Sequence, residues 1–201
     1  MIARPLFRGL SSPLFRALSG AVSVITKVLI DLSPTSSGHY TLGTDSVLTT
    51  AYKLGVSTVL PTASTTYALY GRASSSNDYL KILSSGYLSL DVDGTVVTST
   101  TLATKDSEYR EYSVTLEGND FVFRENTTVI STVTNATAAA KTLTLNLIGN
   151  SNSANFYPGI LADPVMGTLE FKLNKLTTNT ETNNGVTITY QNIGAGTSVR
   201  D

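Results

Sequence analysis

The feature that most constrains this chain is a run of short alternating segments between Tyr67 and Asp163, each closed by a turn signal. From Gly86 to Gly94, Leu88, Leu90 and Val92 share one face, while Tyr87, Ser89, Asp91 and Asp93 share the other. A period of two marks a half-buried strand. Asp93-Gly94 is a favoured two-residue hairpin turn, because both residue types tolerate positive φ. Thr95 to Thr98 is then the return strand. The pattern repeats with Tyr112, Val114 and Leu116 against Glu111, Ser113, Thr115 and Glu117. Turns follow at Gly118-Asn119-Asp120 and Glu125-Asn126-Thr127, with Phe121-Val122-Phe123 between them. Val129 to Val133 comes next, then Leu143, Leu145 and Leu147 alternating with polar residues. Strands at such regular spacing predict an all-β antiparallel sandwich.

The rest of the composition suits that architecture. A chain of 201 residues fits one domain plus appendages and can bury a core without staples. There is no cysteine, which excludes a disulfide framework and thiolate metal sites. The net charge of -1 gives no bulk attraction to nucleic acid. Charged residues make up 14%, while serine and threonine supply roughly a quarter of the chain. Threonine favours strands and serine favours turns.

Several pieces in this order resemble a known family. They are Tyr79-Leu80-Lys81-Ile82, Leu88-Ser89-Leu90, the hairpin from Tyr112 to Phe123, Leu145 to Gly149, and the closing run from Asn155 to Asp163. Together, over residues 45–175, they resemble the concanavalin-like jelly-roll domains of laminin-G type found in many bacteriophage virion proteins. Where that family often has Asn-Gly after the central hairpin, this chain has Asn126-Thr127. The resemblance implies a concanavalin-like β-sandwich (jelly roll) with an extended N-terminal arm. It also implies a non-enzymatic virion structural protein: a capsid, collar or tail decoration, or a fibre component. The alternative it leaves open is a carbohydrate-binding module for host-surface adhesion.

Residues 1–36 stand apart. Pro5 to Ser12 and Pro13 to Gly20 form a repeat of eight residues, each unit with three apolar side chains and one arginine. Prolines prevent one continuous helix, though each can open a helical turn, with Ser12 as a cap for the second. The segment reads as a leader without fixed structure, as an import segment, or as a docking arm. The resemblance selects the arm, because similar Arg-Ser-Leu repeats open many of those phage proteins. On that reading Arg4, Leu6, Phe7, Arg8, Leu14, Phe15 and Arg16 dock the protein onto other virion subunits, in a homo-oligomer. Ala21 to Leu32 is apolar but broken by Lys27, too short to span a bilayer. Val22, Val24, Thr26, Val28 and Ile30 alternate, which fits a strand as well as a helix. Ser33 to Gly38 is a linker by composition. The expected organisation is an arm over 1–36, a sandwich over 37–166, and a C-terminal hairpin and tail over 167–201. The hairpin expectation pairs Leu169, Phe171 and Leu173 with Val186, Ile188 and Tyr190, across a long loop.

Chemistry is sparse. Asp91 and Asp93 share a strand face, but glycoside hydrolysis needs two carboxyls about 5–10 Å apart across a scissile bond. Asp93 is the natural opening of an Asp-Gly turn, and the Glu-x-Asp-x-x-Glu strand of the family's hydrolases is absent. Asn77, Asp78, Asp91 and Asp93 offer hard oxygens for calcium, but without the spacing of a dense metal loop, so no metal or other cofactor is expected. His39, the single histidine, reads as a linker residue. Carbohydrate sites use exposed aromatic faces ringed by polar groups. Among ten tyrosines, Tyr79 and Tyr87 beside Asp91 are the candidates for glycan contact.

Overall fold

The computed structural model describes residues 27–31, 39–60, 64–106, 108–152, 160–170, 180–183, 185–191 and 197–200. The repeat of residues 5–20, the Ser33–Gly38 linker, and most of the closing run before Ile160 lie outside them. The strands, in chain order, begin with β1 (Lys27–Asp31), β2 (His39–Leu48), β3 (Lys53–Val59), β4 (Tyr67–Arg72) and β5 (Ser75–Ile82). They continue with β6 (Tyr87–Val92), β7 (Thr95–Leu102), β8 (Tyr109–Glu117), β9 (Asp120–Glu125) and β10 (Thr128–Thr134). One helical turn, α1 (Ala136–Ala139), precedes β11 (Leu143–Ile148), β12 (Ile160–Met166) and β13 (Leu169–Glu170). Last come β14 (Thr180–Asn183), β15 (Val186–Gln191) and β16 (Thr197–Arg200).

These strands form two eight-stranded antiparallel sheets. The first runs β10-β9-β8-β3-β12-β1-β16, with β13 attached to β12. The second runs β14-β15-β2-β11-β4-β5-β6-β7. They face each other across a core whose largest fully buried side chains include Tyr40, Tyr70, Tyr112, Phe121 and Phe123. Leu88, Leu90 and Val92 point into it as the alternation predicts. Each such side chain contributes roughly 1.5–3 kcal/mol of apolar burial. The fold is a concanavalin-like antiparallel β-sandwich, a jelly roll.

Local chemistry places the turns. Asp93 and Gly94 take φ of 45° and 80°, the two positive values that a tight hairpin between β6 and β7 demands. Asn135 caps α1 by accepting the Ala138 N–H on its side chain. Gly71 is required for another reason. A Cβ there would strike the Asn150 carbonyl and approach Ser151 Cα to 2.5 Å, so the chain after β11 can pass only over a glycine.

Tyr70 pins the two sheets together. Pro164 lies within β12, and the register with β3 slips by one residue between Ala162 and Val165. Proline has no N–H for the ladder and is tolerated at such a bulge. The buried Tyr70 hydroxyl reaches across the sandwich to this point. It donates to the Gly55 carbonyl at 2.5 Å and accepts the Val165 N–H at 3.1 Å.

Several expectations change. Residues 75–78, Ser-Ser-Asn-Asp, open β5 despite their turn-favouring composition, because the turn at Ala73-Ser74 brings Ser75 against Arg72. His39 is no linker residue: it begins β2, half-buried and opposite Gln191. The long-loop hairpin is replaced by two separate pairings. Leu169 folds back on Met166 in the first sheet, while β14 and β15 pair across Gly185 in the second. The boundaries at 36 and 166 do not divide the sheets. From the expected arm, β1 sits between β12 and β16, and from the expected tail, β15 pairs with β2. Alternation is identical for every possible partner, so only long-range packing chooses between them.

Candidate functional site on the outer face of strands β5 to β7

At the end of the second sheet, side chains that face away from the core fall into rows. Tyr79, Asp91 and Val96 are neighbours across β5, β6 and β7. Lys81, Ser89 and Thr98 form the next row. Adjacent strands lie about 4.8 Å apart, so each row spans about 10 Å.

Asp91 departs from its expected setting. It lies on the outer face but is only 5% exposed. Its Oδ1 accepts the Gly94 N–H at 2.6 Å, and its carboxylate also accepts from the Asp78 backbone. Burial raises its carboxyl above the usual range, and the nearby Asp78 charge adds to this, against those backbone donors and Lys81. Asp78, itself buried with φ of 63°, accepts the Asp93 N–H at 2.9 Å and Arg72 Nη1 at 3.3 Å. Arg72 also faces Asp45 at 3.8 Å. Lys141 Nζ donates to the Asp93 carbonyl at 2.6 Å. Asp78 and Asp91 thus serve as acceptors that hold the β6–β7 turn to the start of β5. Among the described residues, no group of three or more acidic or histidine side chains is arranged to hold a metal.

Tyr79 is half-buried, with Lys81 Nζ 3.7 Å from its ring centroid. One ring face is therefore occupied by an ammonium, a cation–π contact. Burial raises the Tyr79 hydroxyl and Asp91 raises it further, while the Ser89 hydroxyl works the other way. Burial lowers the Lys81 ammonium, opposed by Asp91. Among the described residues, Lys81 has no carboxylate within 4.0 Å. Ser89, 2% exposed, accepts from Thr98 Oγ1 at 3.3 Å. Val96 remains 49% exposed.

The structure brings Tyr79 and Asp91 together and leaves Tyr87 apart. Tyr87 is half-buried at the other end of β6, opposite Leu102 and about 13 Å along the strand from Asp91. The expected docking residues Arg4, Leu6, Phe7, Arg8, Leu14, Phe15 and Arg16 lie outside the described residues. Lys81, Val96 and Thr98 were missed by the sequence reading. Lys81 carried a usable signal, since it lies two residues beyond Tyr79 on the same strand face.

No family model matches this sequence, and no curated protein matches it. Solved structures do resemble it. One is a protein from Bacteroides ovatus ATCC 8483, provisionally described as carbohydrate binding. Its TM-score is 0.61 at 10% identity, with 87% of this chain and 59% of that one covered. This chain therefore spans about 59% of that protein's length. Another is a heptameric SAP-like pentraxin from Limulus polyphemus, with TM-score 0.48 and 15% identity over 73% of this chain and 77% of that one. At such identities the first likeness speaks to fold alone. Among the described residues, no helix is long and apolar enough to cross a membrane.

Proposed function

We propose that this chain is a non-enzymatic binding domain that takes a carbohydrate on the outer face of β5 to β7. The observation that carries this reading is the row arrangement around Tyr79. A half-exposed ring, an exposed aliphatic side chain at Val96 and the hydroxyl of Thr98 stand on rigid strands. Sugars offer apolar C–H faces for rings and hydroxyls for polar groups, so such a mixed surface suits them. The Bacteroides ovatus protein of similar fold, itself provisionally described as carbohydrate binding, supports the reading by analogy. The non-enzymatic part rests on Asp91 and Asp78, whose carboxylates are engaged by backbone N–H groups rather than aimed at a cleft. A glycan array with the full chain at high concentration tests it. Binding that is lost in Tyr79→Ala is the expected result, and silence across the array overturns the reading.

A second reading, compatible with the first, is that the domain is displayed on a bacteriophage particle, held by its N-terminal segment in a homo-oligomeric assembly. The Pro-Leu-Phe-Arg repeat of residues 5–20 and the resemblance of the core's sequence pattern support it. The deletion that tests it removes residues 1–20 and spares β1, whose strand belongs to the first sheet. Loss of the protein from assembled particles is expected. Normal incorporation would refute the arm.

A further inference from the structure

We propose that the saccharide taken at Tyr79 is anionic, and that Lys81 is the residue that selects it. The inference rests on the carbohydrate reading above and deepens it. Its first support is the position of the Lys81 ammonium, 3.7 Å from the Tyr79 ring centroid. A neutral sugar stacking on that face must push the ammonium aside and give back nothing in charge. An anionic sugar draws the ammonium to itself, and the same movement uncovers the ring.

The second support is the charge arrangement. Lys81 is half-exposed and, among the described residues, has no carboxylate within 4.0 Å. Asp91, the carboxylate that acts on Lys81 electrostatically, is buried and engaged by the Gly94 and Asp78 N–H groups. It cannot come out to form a close pair without releasing the β6–β7 turn. The positive charge over the Tyr79 ring is therefore left without a close carboxylate, in the row that also carries the Thr98 hydroxyl. Thr98, in the row of Lys81 and held by the buried Ser89 hydroxyl, supplies the polar side. Lysine acts as a point charge, so carboxylate and sulfate groups are equivalent for this argument.

The experiment compares three probes by titration calorimetry against the full chain: oligogalacturonate, its methyl ester, and a sulfated dextran oligomer of similar length. The ester keeps the sugar and removes the charge. The expected result is at least about a fivefold preference for an acidic probe over the ester, shrinking as salt rises. The carboxylate and sulfate arms tell which anion the site takes. In Lys81→Met, which keeps the apolar stem, the preference for the acidic probe over the ester disappears. Circular dichroism confirms that the variant folds. Equal affinity for acid and ester in the wild type overturns the inference and leaves the carbohydrate reading intact. A preference that survives Lys81→Met overturns it too, by placing the anion elsewhere. No binding of any probe overturns the anionic inference and leaves the carbohydrate reading to the glycan array.

Discussion

Tyr70 and Tyr79 stand on neighbouring strands of one sheet and have opposite lives. Tyr70 is fully buried, and its hydroxyl serves two backbone groups at the β12 bulge. Tyr79 lies on the outside, with its ring under an ammonium and its hydroxyl near Ser89. Burial sets different demands on the two hydroxyls. Inside, a polar atom persists only where it satisfies something the fold has left open. Outside, the same side chain can carry loosely held contacts that a ligand can exchange.

Tyr70→Phe removes the buried hydroxyl alone. It leaves the Val165 N–H and the Gly55 carbonyl without that partner in a buried place. The expected loss is about 2–3 kcal/mol in urea unfolding, since each stranded group costs about 1–3 kcal/mol. A loss below about 0.5 kcal/mol would mean the ladder repairs itself without the pin. On the outer face, Lys81→Met should change stability by less than about 1 kcal/mol, because an exposed cation–π contact is worth about 0.5–1 kcal/mol. A larger loss would turn the outer pair into a structural element like Tyr70.

Asp91 gives the finest test, because it sits on the outer face yet is buried. Its folded carboxyl is raised above the unfolded value of 3.8, chiefly by burial. The folded state then holds the proton more tightly than the unfolded chain. The stability this brings is fully present below pH 3.8 and is lost as pH rises through the raised folded value. Asp91→Asn should remove that slope and be at least as stable as the wild type at pH 7. Denaturant midpoints measured from pH 3 to 7 read this directly. A wild type that gains stability relative to the variant as pH rises would reverse the assignment.

The β6–β7 hairpin was legible in the sequence because everything that fixes it is local. Period two sets the faces of Leu88, Leu90 and Val92, and Asp93-Gly94 supplies the two positive φ values. The burial of Asp91 was not legible. Alternation says which face a side chain takes, not how far its surroundings will cover it. The Ser-rich start of β5 was hidden for a related reason: strand preference depends on the partner, and here β4 and β6 override the residues' turn tendency. At the C-terminal end, Leu169 and Val186 fit a hairpin with each other as well as the pairings they make. Period alone cannot separate a near partner from a distant one. The candidate site was half legible. Tyr79 and Asp91 meet, Tyr87 does not join them, and Lys81 enters through its place above a ring.

The position of β1 has a consequence for how the protein is made. Residues 27–31 are synthesised long before both of their sheet neighbours, β12 and β16. In the other sheet β2 likewise waits for β11 and β15. Closing such long loops is slow, and unpaired strands are exposed meanwhile to wrong partners. Each sheet therefore stays incomplete until its late strands have been made, and β1 and β2 must be kept from wrong partners over that interval.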